Sequence, residues 1–253
     1  MRLKILPRIS GAAAILLVAA HSTHAGELPD GFVYLRDVAP DIRQDMRYAG
    51  EHNFVGRPIV GYEAAECVLS APAAEALRAA AAELAEEGFT FRIYDCYRPA
   101  RAVADFAHWA RDIDDLAMQA EFYPRVDKAL LFELGYIAER SGHSRGSTVD
   151  LAIEPVDAPE VSWSSGDALV DCVLPERFAE GTLEFGTGYD CFDDHAHHGA
   201  KGISAEAEAN RNKLKDLLDR HGFAAYQEEW WHYTLRNEPF PDTYFDFVVA
   251  ARP

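Results

Sequence analysis

The chain has few positive charges and, after its N-terminal leader, no long apolar run. Its 24 Lys and Arg residues stand against 42 Asp and Glu residues, which gives a formal net charge of −18 at pH 7. So acidic a protein repels phosphate backbones, and no basic cluster with interleaved aromatic residues offsets that repulsion. No later segment reaches the roughly 20 apolar residues that a membrane-spanning helix needs. Nucleic acid is therefore not an expected partner, and no membrane contact is expected after the leader.

The leader has the three-part layout of a secretory signal. Basic residues at positions 2, 4 and 8 precede an apolar run over 11–20, and small or polar residues follow up to Ala25. The run is too short for a permanent span, so we predict a signal peptide over 1–25, cleavage after Ala25 and an exported, periplasmic protein. Loss of the three basic residues takes the formal charge from −18 to −21 and leaves residues 26–253. No repeat or linker divides them, which predicts a single domain.

Cysteine is scarce, and none of it forms the C-x-x-C pair of a zinc knuckle. In an oxidising compartment disulfides are favoured over free buried thiols, which are the alternative. The four cysteines allow three pairings, and joining neighbours in sequence predicts Cys67–Cys96 and Cys172–Cys191.

Local patterns predict a mixture of helices and strands. Serines at 70 and 204 are candidate N-caps, and glycines at 88 and 222 end the two helical patterns that they open; a third helical pattern follows Pro99. Residues 89–95 alternate apolar and polar side chains, 147–154 are rich in β-branched residues, and 223–235 indicate strand with an irregularity. Because no βαβ rhythm appears, the predicted fold class is α+β with a mainly antiparallel central sheet flanked by helices. The segment 155–185 is predicted to be a long loop or insertion.

Four residues could form a metal site with a base. His143 and Asp150 flank a glycine- and serine-rich loop that runs into a strand, so the loop can fold back and bring them together. Imidazole and carboxylate are ordinary zinc ligands, and a catalytic zinc takes three protein ligands and one water. His232 could be the third ligand and Glu229 the base, if a turn or a bulge lets them converge.

Simpler roles remain open for the same residues. The histidines could be hydrogen-bonded or exposed, Asp150 could cap a turn, and Glu229 could lie in solvent. The run His195–His198 resembles a metal site but lies in a polar loop, which is the favoured interpretation. Arg98 follows a strand, where it could hold a carboxylate or an oxyanion, or form a surface ion pair.

Several motifs in order along the chain resemble those of the D-alanyl-D-alanine dipeptidases of the vancomycin-resistance type. The resemblance covers nearly all of the chain after the leader. The motifs are RYAGEHNFVGRPIVGYE, YRPARA, SGHSRGSTVDL, GTGYDCF, HHGAKGISAEAEANR, EWWHYTL and YFDF.

The resemblance implies a fold like that of the hedgehog and D-Ala metallopeptidases and a role for each matching residue. One catalytic zinc ion would be bound, with Glu229 as general base and acid and with Arg98 stabilising the oxyanion. Tyr48 and Asp190 match positions that receive the amino end of the dipeptide, and Ser141 matches one near its carboxylate. The implied zinc ligands are His143, Asp150 and His232.

The expected function is hydrolysis of the small-molecule dipeptide D-Ala-D-Ala to free D-alanine. The resistance enzymes act in the cytoplasm, whereas the leader here predicts export, so cell-wall turnover or recycling is expected instead. The alternatives are a D,D- or L,D-carboxypeptidase or endopeptidase of the same fold, and a zinc-bearing binding domain without catalysis. The presence of both Glu229 and Arg98 disfavours the last.

Overall fold

The computed structural model describes residues 27–252, so the predicted signal peptide lies outside the described residues. The architecture is α+β, as predicted. Within the described part no helix combines the length and apolar character of a membrane span. The strands are β1 (Phe32–Tyr34), β2 (Arg43–Gln44), β3 (Val68–Ser70), β4 (Phe89–Asp95), β5 (Thr148–Pro155), β6 (Phe223–Ala225) and β7 (His232–Leu235). The helices are α1 (Leu35–Val38), α2 (Ala71–Ala85), α3 (Ala100–Arg111), α4 (Gln119–Phe122) and α5 (Ala205–Arg220).

The central sheet has five strands in the order β2-β4-β5-β7-β6, and β1 pairs with β3 in a separate small sheet. All neighbours in the central sheet are antiparallel except β2 and β4. Strand β5 lies in the middle and is buried from Thr148 to Glu154, which explains its run of apolar and β-branched residues. Both strands predicted around 89–95 and 147–154 are confirmed.

The three predicted helices are confirmed as α2, α3 and α5. Of the two predicted serine N-caps, only the one at Ser204 is confirmed. The Ser204 hydroxyl accepts a hydrogen bond from the Ala207 amide at 3.0 Å. The Ser70 hydroxyl instead lies 2.6 Å from that of Ser147, and both residues are buried. Ser70 ends β3, and its amide donates to the Gly146 carbonyl at 2.6 Å. Its side chain therefore lies beside Ser147, just before β5, and bonds there rather than capping α2.

The C-terminal segment predicted as an irregular strand is two strands joined by a turn. Strands β6 and β7 pair antiparallel, with Ala225 opposite Tyr233. Trp230 and Trp231 lie in the turn and are buried: the Trp230 ring stacks on Phe185 with centroids 4.2 Å apart, and Trp231 packs edge-on against Tyr189 at 5.5 Å. The tryptophans thus fix the turn that carries Glu229.

The predicted long loop is confirmed: no helix or strand is assigned over 156–185, which we call the long loop, and the next element, a 3₁₀ turn, begins only at Asp194. It packs closely on the body of the protein, since the Trp163 indole stacks on the His52 imidazole with centroids 4.7 Å apart. Both predicted disulfides, Cys67–Cys96 and Cys172–Cys191, are present. The second one ties the loop to the segment that follows it.

Candidate metal centre and cleft

The register of the central sheet brings candidate ligands together. Asp150 in β5 lies opposite Asp95 at the end of β4 and opposite His232 at the start of β7. Residues directly opposite each other on neighbouring strands project from the same face of a sheet. Two residues 82 positions apart in the printed sequence, Asp150 and His232, are therefore neighbours in space.

His143 reaches the same point from the turn that precedes β5. This 3₁₀ turn spans Gly142–Arg145, and its entry is capped by the Ser141 hydroxyl, which accepts a hydrogen bond from the His143 amide at 3.2 Å. Gly146 ends the turn with a φ of +80°. A Cβ atom at Gly146 would lie 2.2 Å from the Phe32 ring, so only glycine fits there.

We expect Gly146→Ala to destabilise the protein by roughly 2–4 kcal/mol, because it adds a steric clash to the backbone strain of a positive φ. Gly88 is the matched control: its φ is +81°, but nothing lies within 4 Å of an added Cβ. Gly88→Ala should therefore cost only the strain, about 1 kcal/mol. Urea unfolding of both variants measures the difference, and equal losses would contradict the role given to the Phe32 contact.

Three ligand atoms form a compact triangle. The His143 Nε2 atom lies 3.3 Å from Asp150 Oδ1 and 3.2 Å from His232 Nδ1, and the latter two atoms are 3.1 Å apart. Ligands of a tetrahedral zinc at the usual bond lengths are separated by about 3.3–3.4 Å. The donor set and its spacing therefore fit zinc, and all three residues line the cleft. Within residues 27–252 this is the one group of three or more potential ligands that converges in this way.

Hydrogen bonds around the triangle orient its members. The His143 Nδ1 atom donates to the Cys96 carbonyl at 2.7 Å, which leaves the Nε2 lone pair directed at the site. Asp150 Oδ2 accepts a hydrogen bond from the Tyr189 hydroxyl at 3.1 Å. The other oxygen, Oδ1, is buried and has no well-directed hydrogen bond among the described residues. Such an oxygen is suited to metal coordination.

The electrostatics of the triangle favour a cation at its centre. Burial lowers the pKa of His232, but the adjacent carboxylates of Asp150 and Glu229, 3.1 and 3.3 Å from its Nδ1 atom, outweigh that effect and raise the pKa to about 9. Burial opposes the charge of Asp150, yet the two imidazoles hold its pKa below the ordinary value. The carboxylates thus create a site in which positive charge is stabilised.

Glu229 lies beside the triangle because the chain turns there. The Glu229 carbonyl accepts from the His232 amide at 3.3 Å, and Glu229 Oε2 lies 3.3 Å from His232 Nδ1. Of the two geometries left open by the sequence, the turn is therefore the correct one. The carboxylate is part-exposed and lines the cleft, so water can reach it.

Arg98 lies across the cleft floor and is fixed on both sides. Its Nε atom donates to Asp95 Oδ2 at 2.9 Å, and its Nη2 atom is 3.6 Å from Asp150 Oδ2. The guanidinium carbon lies 5.0 Å from the centre of the Tyr48 ring and 5.2 Å from that of Phe106. The alternative interpretation of Arg98 as a member of a surface ion pair is wrong, because its side chain is only 13% exposed.

A second carboxylate lies deeper in the same cleft. Asp190 is buried and accepts a hydrogen bond of 2.8 Å from the Tyr48 hydroxyl. Burial, and next the charge of Asp150, raise the pKa of Asp190 well above its ordinary value. A ligand ammonium at this position would restore the charge that burial opposes.

The cleft holds a volume of about 250 Å³, below the 300–1,000 Å³ typical of sites for drug-sized ligands. It brings together every residue predicted for the site. The predicted site residues that line it are Tyr48, Arg98, Ser141, His143, Asp150, Asp190, Glu229 and His232.

Three further residues belong to the site but were not predicted. Asp95 accepts from Arg98 and lies 3.3 Å from His143 Nδ1; its position at a strand end, three residues before Arg98, was a usable signal. Tyr189, which bonds Asp150, gave no signal because its partner is distant in sequence. Arg140 precedes the capping Ser141, lines the cleft, and packs its guanidinium against the Tyr244 ring. The His195 amide donates a hydrogen bond to Asp193 Oδ1 at 2.9 Å, and the His195 ring Nδ1 contacts the same oxygen, which agrees with a polar loop rather than a metal site.

Comparison with known proteins decides the family. A family model of peptidase family M15, described as D-ala-D-ala dipeptidase, matches residues 29–162 and 155–250. The chain belongs to this family. It is thereby a member of a group of metal-dependent peptidases, and the resemblance inferred from the motifs is confirmed.

Curated relatives agree with the family assignment. The chain is 36% identical over 219 residues to the D-alanyl-D-alanine dipeptidase of Enterococcus faecium, covering 87% of this chain and 98% of the relative. It is 37% identical over 219 residues to the enzyme of the same name from Streptomyces coelicolor, with the same coverage. A more distant relative of that name, from Escherichia coli, is 26% identical over 204 residues, which is 80% of this chain and 83% of the relative.

Proposed function

We propose that this protein is a zinc-dependent dipeptidase that hydrolyses D-Ala-D-Ala to free D-alanine. The observation that carries the proposal is the triangle of His143, Asp150 and His232, with ligand atoms 3.1–3.3 Å apart and Glu229 3.3 Å from one of them. The names of the relatives supply the substrate, since each is called a D-alanyl-D-alanine dipeptidase.

His143, Asp150 and His232 would hold the metal. When bound, zinc polarises the scissile carbonyl and lowers the pKa of the attacking water. Glu229 takes a proton from that water and later delivers it to the leaving amine. Arg98 keeps its charge in the cleft and donates hydrogen bonds to the oxyanion that develops on the carbonyl oxygen. Asp95 holds the Arg98 guanidinium in place through its bond to Nε.

The two ends of the cleft recognise the two charged ends of a free dipeptide. The substrate ammonium would bind Asp190, whose carboxylate is oriented by Tyr48. The substrate carboxylate would bind near Ser141, whose hydroxyl hydrogen is free to donate because its oxygen accepts the His143 amide. Arg140 adds a positive charge at that end. A longer peptide would leave the buried Asp190 unpaired, so free dipeptides are favoured.

We further propose that the protein acts outside the cytoplasm, on dipeptide released during cell-wall turnover. The predicted signal peptide over 1–25 supports export, and the two disulfides are typical of an oxidising compartment. In this role the enzyme recovers D-alanine from dipeptide that the cell wall has released. A resistance enzyme would instead remove D-Ala-D-Ala in the cytoplasm, before the dipeptide enters wall precursors.

The substrate class is tested by offering residues 26–253, purified and loaded with zinc, three substrates. These are D-Ala-D-Ala, L-Ala-L-Ala and a pentapeptide that ends in D-Ala-D-Ala. We expect the enzyme to cleave D-Ala-D-Ala and neither of the other two substrates. A chelator should abolish this cleavage, and added zinc should restore it. Release of D-alanine from the pentapeptide would support the carboxypeptidase alternative instead, and no cleavage of any substrate would overturn the proposal.

Asp190→Asn should weaken the substrate complex and stabilise the free protein. The raised pKa of Asp190 means that the folded state binds its proton more tightly than the unfolded state does, so this group costs stability as the pH rises above about 4. The neutral asparagine has no such cost. We expect the variant to have a higher KM than wild type. We also expect its free energy of unfolding to exceed that of wild type, and the difference to be larger at pH 7.5 than at pH 5. A stability difference independent of pH would contradict the assignment.

A further inference from the structure

The backbone of Asp190 is held in an unfavourable conformation. Its φ is +56°, and it is the one non-glycine residue in the described chain with a positive φ. A left-handed φ is uncommon for non-glycine residues, although aspartate adopts it more readily than most, and it persists where neighbouring structure enforces it. Because the Asp190 side chain lines the cleft, the contacts that hold its backbone in this conformation also position its carboxylate.

Bonds to the long loop hold the residues on either side of Asp190. The next residue, Cys191, is joined by a disulfide to Cys172 of the loop. On the other side, the Gly188 amide donates to the Cys172 carbonyl at 2.9 Å, and the Tyr189 amide donates to Glu180 Oε1 at 3.0 Å. The peptide that carries Asp190 is thus attached to the loop before and after the strained residue.

The loop is itself anchored, so it can transmit this constraint. The Cys172 amide donates to the Glu121 carbonyl of α4 at 3.0 Å. Glu180 Oε2 lies 3.3 Å from the guanidinium of Arg47, which is buried and also bonded to Asp45 at 3.0 Å. Both anchors belong to the body of the protein rather than to the loop.

We infer that the Cys172–Cys191 disulfide and Glu180 are positioning elements for Asp190 and thereby set the selectivity of the site for a free substrate amine. The inference rests on the proposed function, in which Asp190 receives the ammonium. Without the tether, Asp190 relaxes to an ordinary φ and its carboxylate moves away from Tyr48. Because the ammonium is bound equally in the ground state and the transition state, the loss falls on KM rather than on kcat.

The test compares two substrates that differ only at the amine, D-Ala-D-Ala and N-acetyl-D-Ala-D-Ala. For the double variant Cys172→Ala/Cys191→Ala we expect KM for the free dipeptide to rise roughly ten- to hundredfold, as for a lost charged hydrogen bond, with kcat nearly unchanged. The kcat/KM for the acetylated dipeptide should stay close to the wild-type value. If the disulfide had a purely structural role, its loss would lower kcat/KM for both substrates by the same factor, which would contradict the inference.

Two further variants complete the design. Glu180→Ala removes the acceptor of the Tyr189 amide and should shift KM in the same direction; it also serves if the double cysteine variant does not fold, as judged by circular dichroism. Cys67→Ala/Cys96→Ala is the contrasting case: it frees the segment just after β4, which presents the Cys96 carbonyl to His143, so it should lower kcat/KM for both substrates by the same factor.

The outcomes separate the inference from the proposed function. A wild-type enzyme that cleaves neither substrate overturns both. A wild-type enzyme that cleaves the free dipeptide, with folded Cys172→Ala/Cys191→Ala and Glu180→Ala variants that keep its KM and its preference for the free amine, overturns the inference alone. A raised KM confined to the free dipeptide supports it.

Discussion

Glu229→Gln should lower kcat by roughly 10²–10⁴-fold, about 3–5 kcal/mol of transition-state stabilisation, while one zinc per chain is retained. The amide has nearly the shape of the carboxylate but cannot accept a proton. The Glu229 carboxylate lies 3.3 Å from His232 Nδ1 and lines the cleft, so it can reach a water held at the proposed metal site. Steady-state kinetics on D-Ala-D-Ala and zinc analysis of the same preparation measure both quantities.

The neighbouring Glu228 is the matched control. Its side chain is exposed and accepts a hydrogen bond of 2.7 Å from the Tyr226 hydroxyl, and it is absent from the cleft lining. Glu228→Gln should leave kcat within about twofold of wild type, as surface substitutions usually do. Equal losses from the two substitutions, or loss of zinc from Glu229→Gln, would contradict the role of general base.

Arg98→Met should lower kcat by roughly 10²–10³-fold, as the loss of one oxyanion donor does in other hydrolases. Methionine retains most of the apolar volume against Tyr48 and Phe106, so the packing of the cleft floor is largely preserved. Arg98→Lys should recover only part of the activity, because an ammonium cannot reproduce the planar contacts of the guanidinium with Asp95 and the substrate.

Arg140, a second arginine that lines the cleft, shows whether the effect of Arg98→Met comes from the loss of any positive charge or from the position of Arg98. Arg140→Met removes an equal charge at the end proposed for the substrate carboxylate, so it should raise KM and leave kcat nearly unchanged. The two variants are compared by kcat and KM on D-Ala-D-Ala. If Arg98→Met raised only KM, Arg98 would be a binding residue and not the oxyanion donor.

The sequence predicted the elements of the fold well because their patterns are local. The strands around 89–95 and 147–154 alternate or are β-branched, and the helices over 71–85 and 205–220 carry glycine stops. The Ser70 cap failed for a non-local reason: its hydroxyl is used by Ser147, 77 residues away. Similarly, the paired strands β6 and β7 depend on a turn that is stabilised by buried tryptophans, which no local pattern reveals.

The candidate site was predicted mainly through the motif resemblance. Residue types alone left His143, Asp150 and His232 as possible ligands, because the chain spacing does not determine which strands become neighbours. The register that places Asp150 between Asp95 and His232 follows from the whole sheet. Supporting residues such as Tyr189 were missed since they act through contacts between distant segments.

The most direct test of the central claim is a crystal structure of residues 26–253 with zinc, measured at the zinc absorption edge. The account predicts one strong anomalous peak within about 2.0–2.2 Å of His143 Nε2, Asp150 Oδ1 and His232 Nδ1, on the side of the triangle that faces Glu229. The absence of a peak at this triangle, or a peak at His195–His198 instead, would contradict the account.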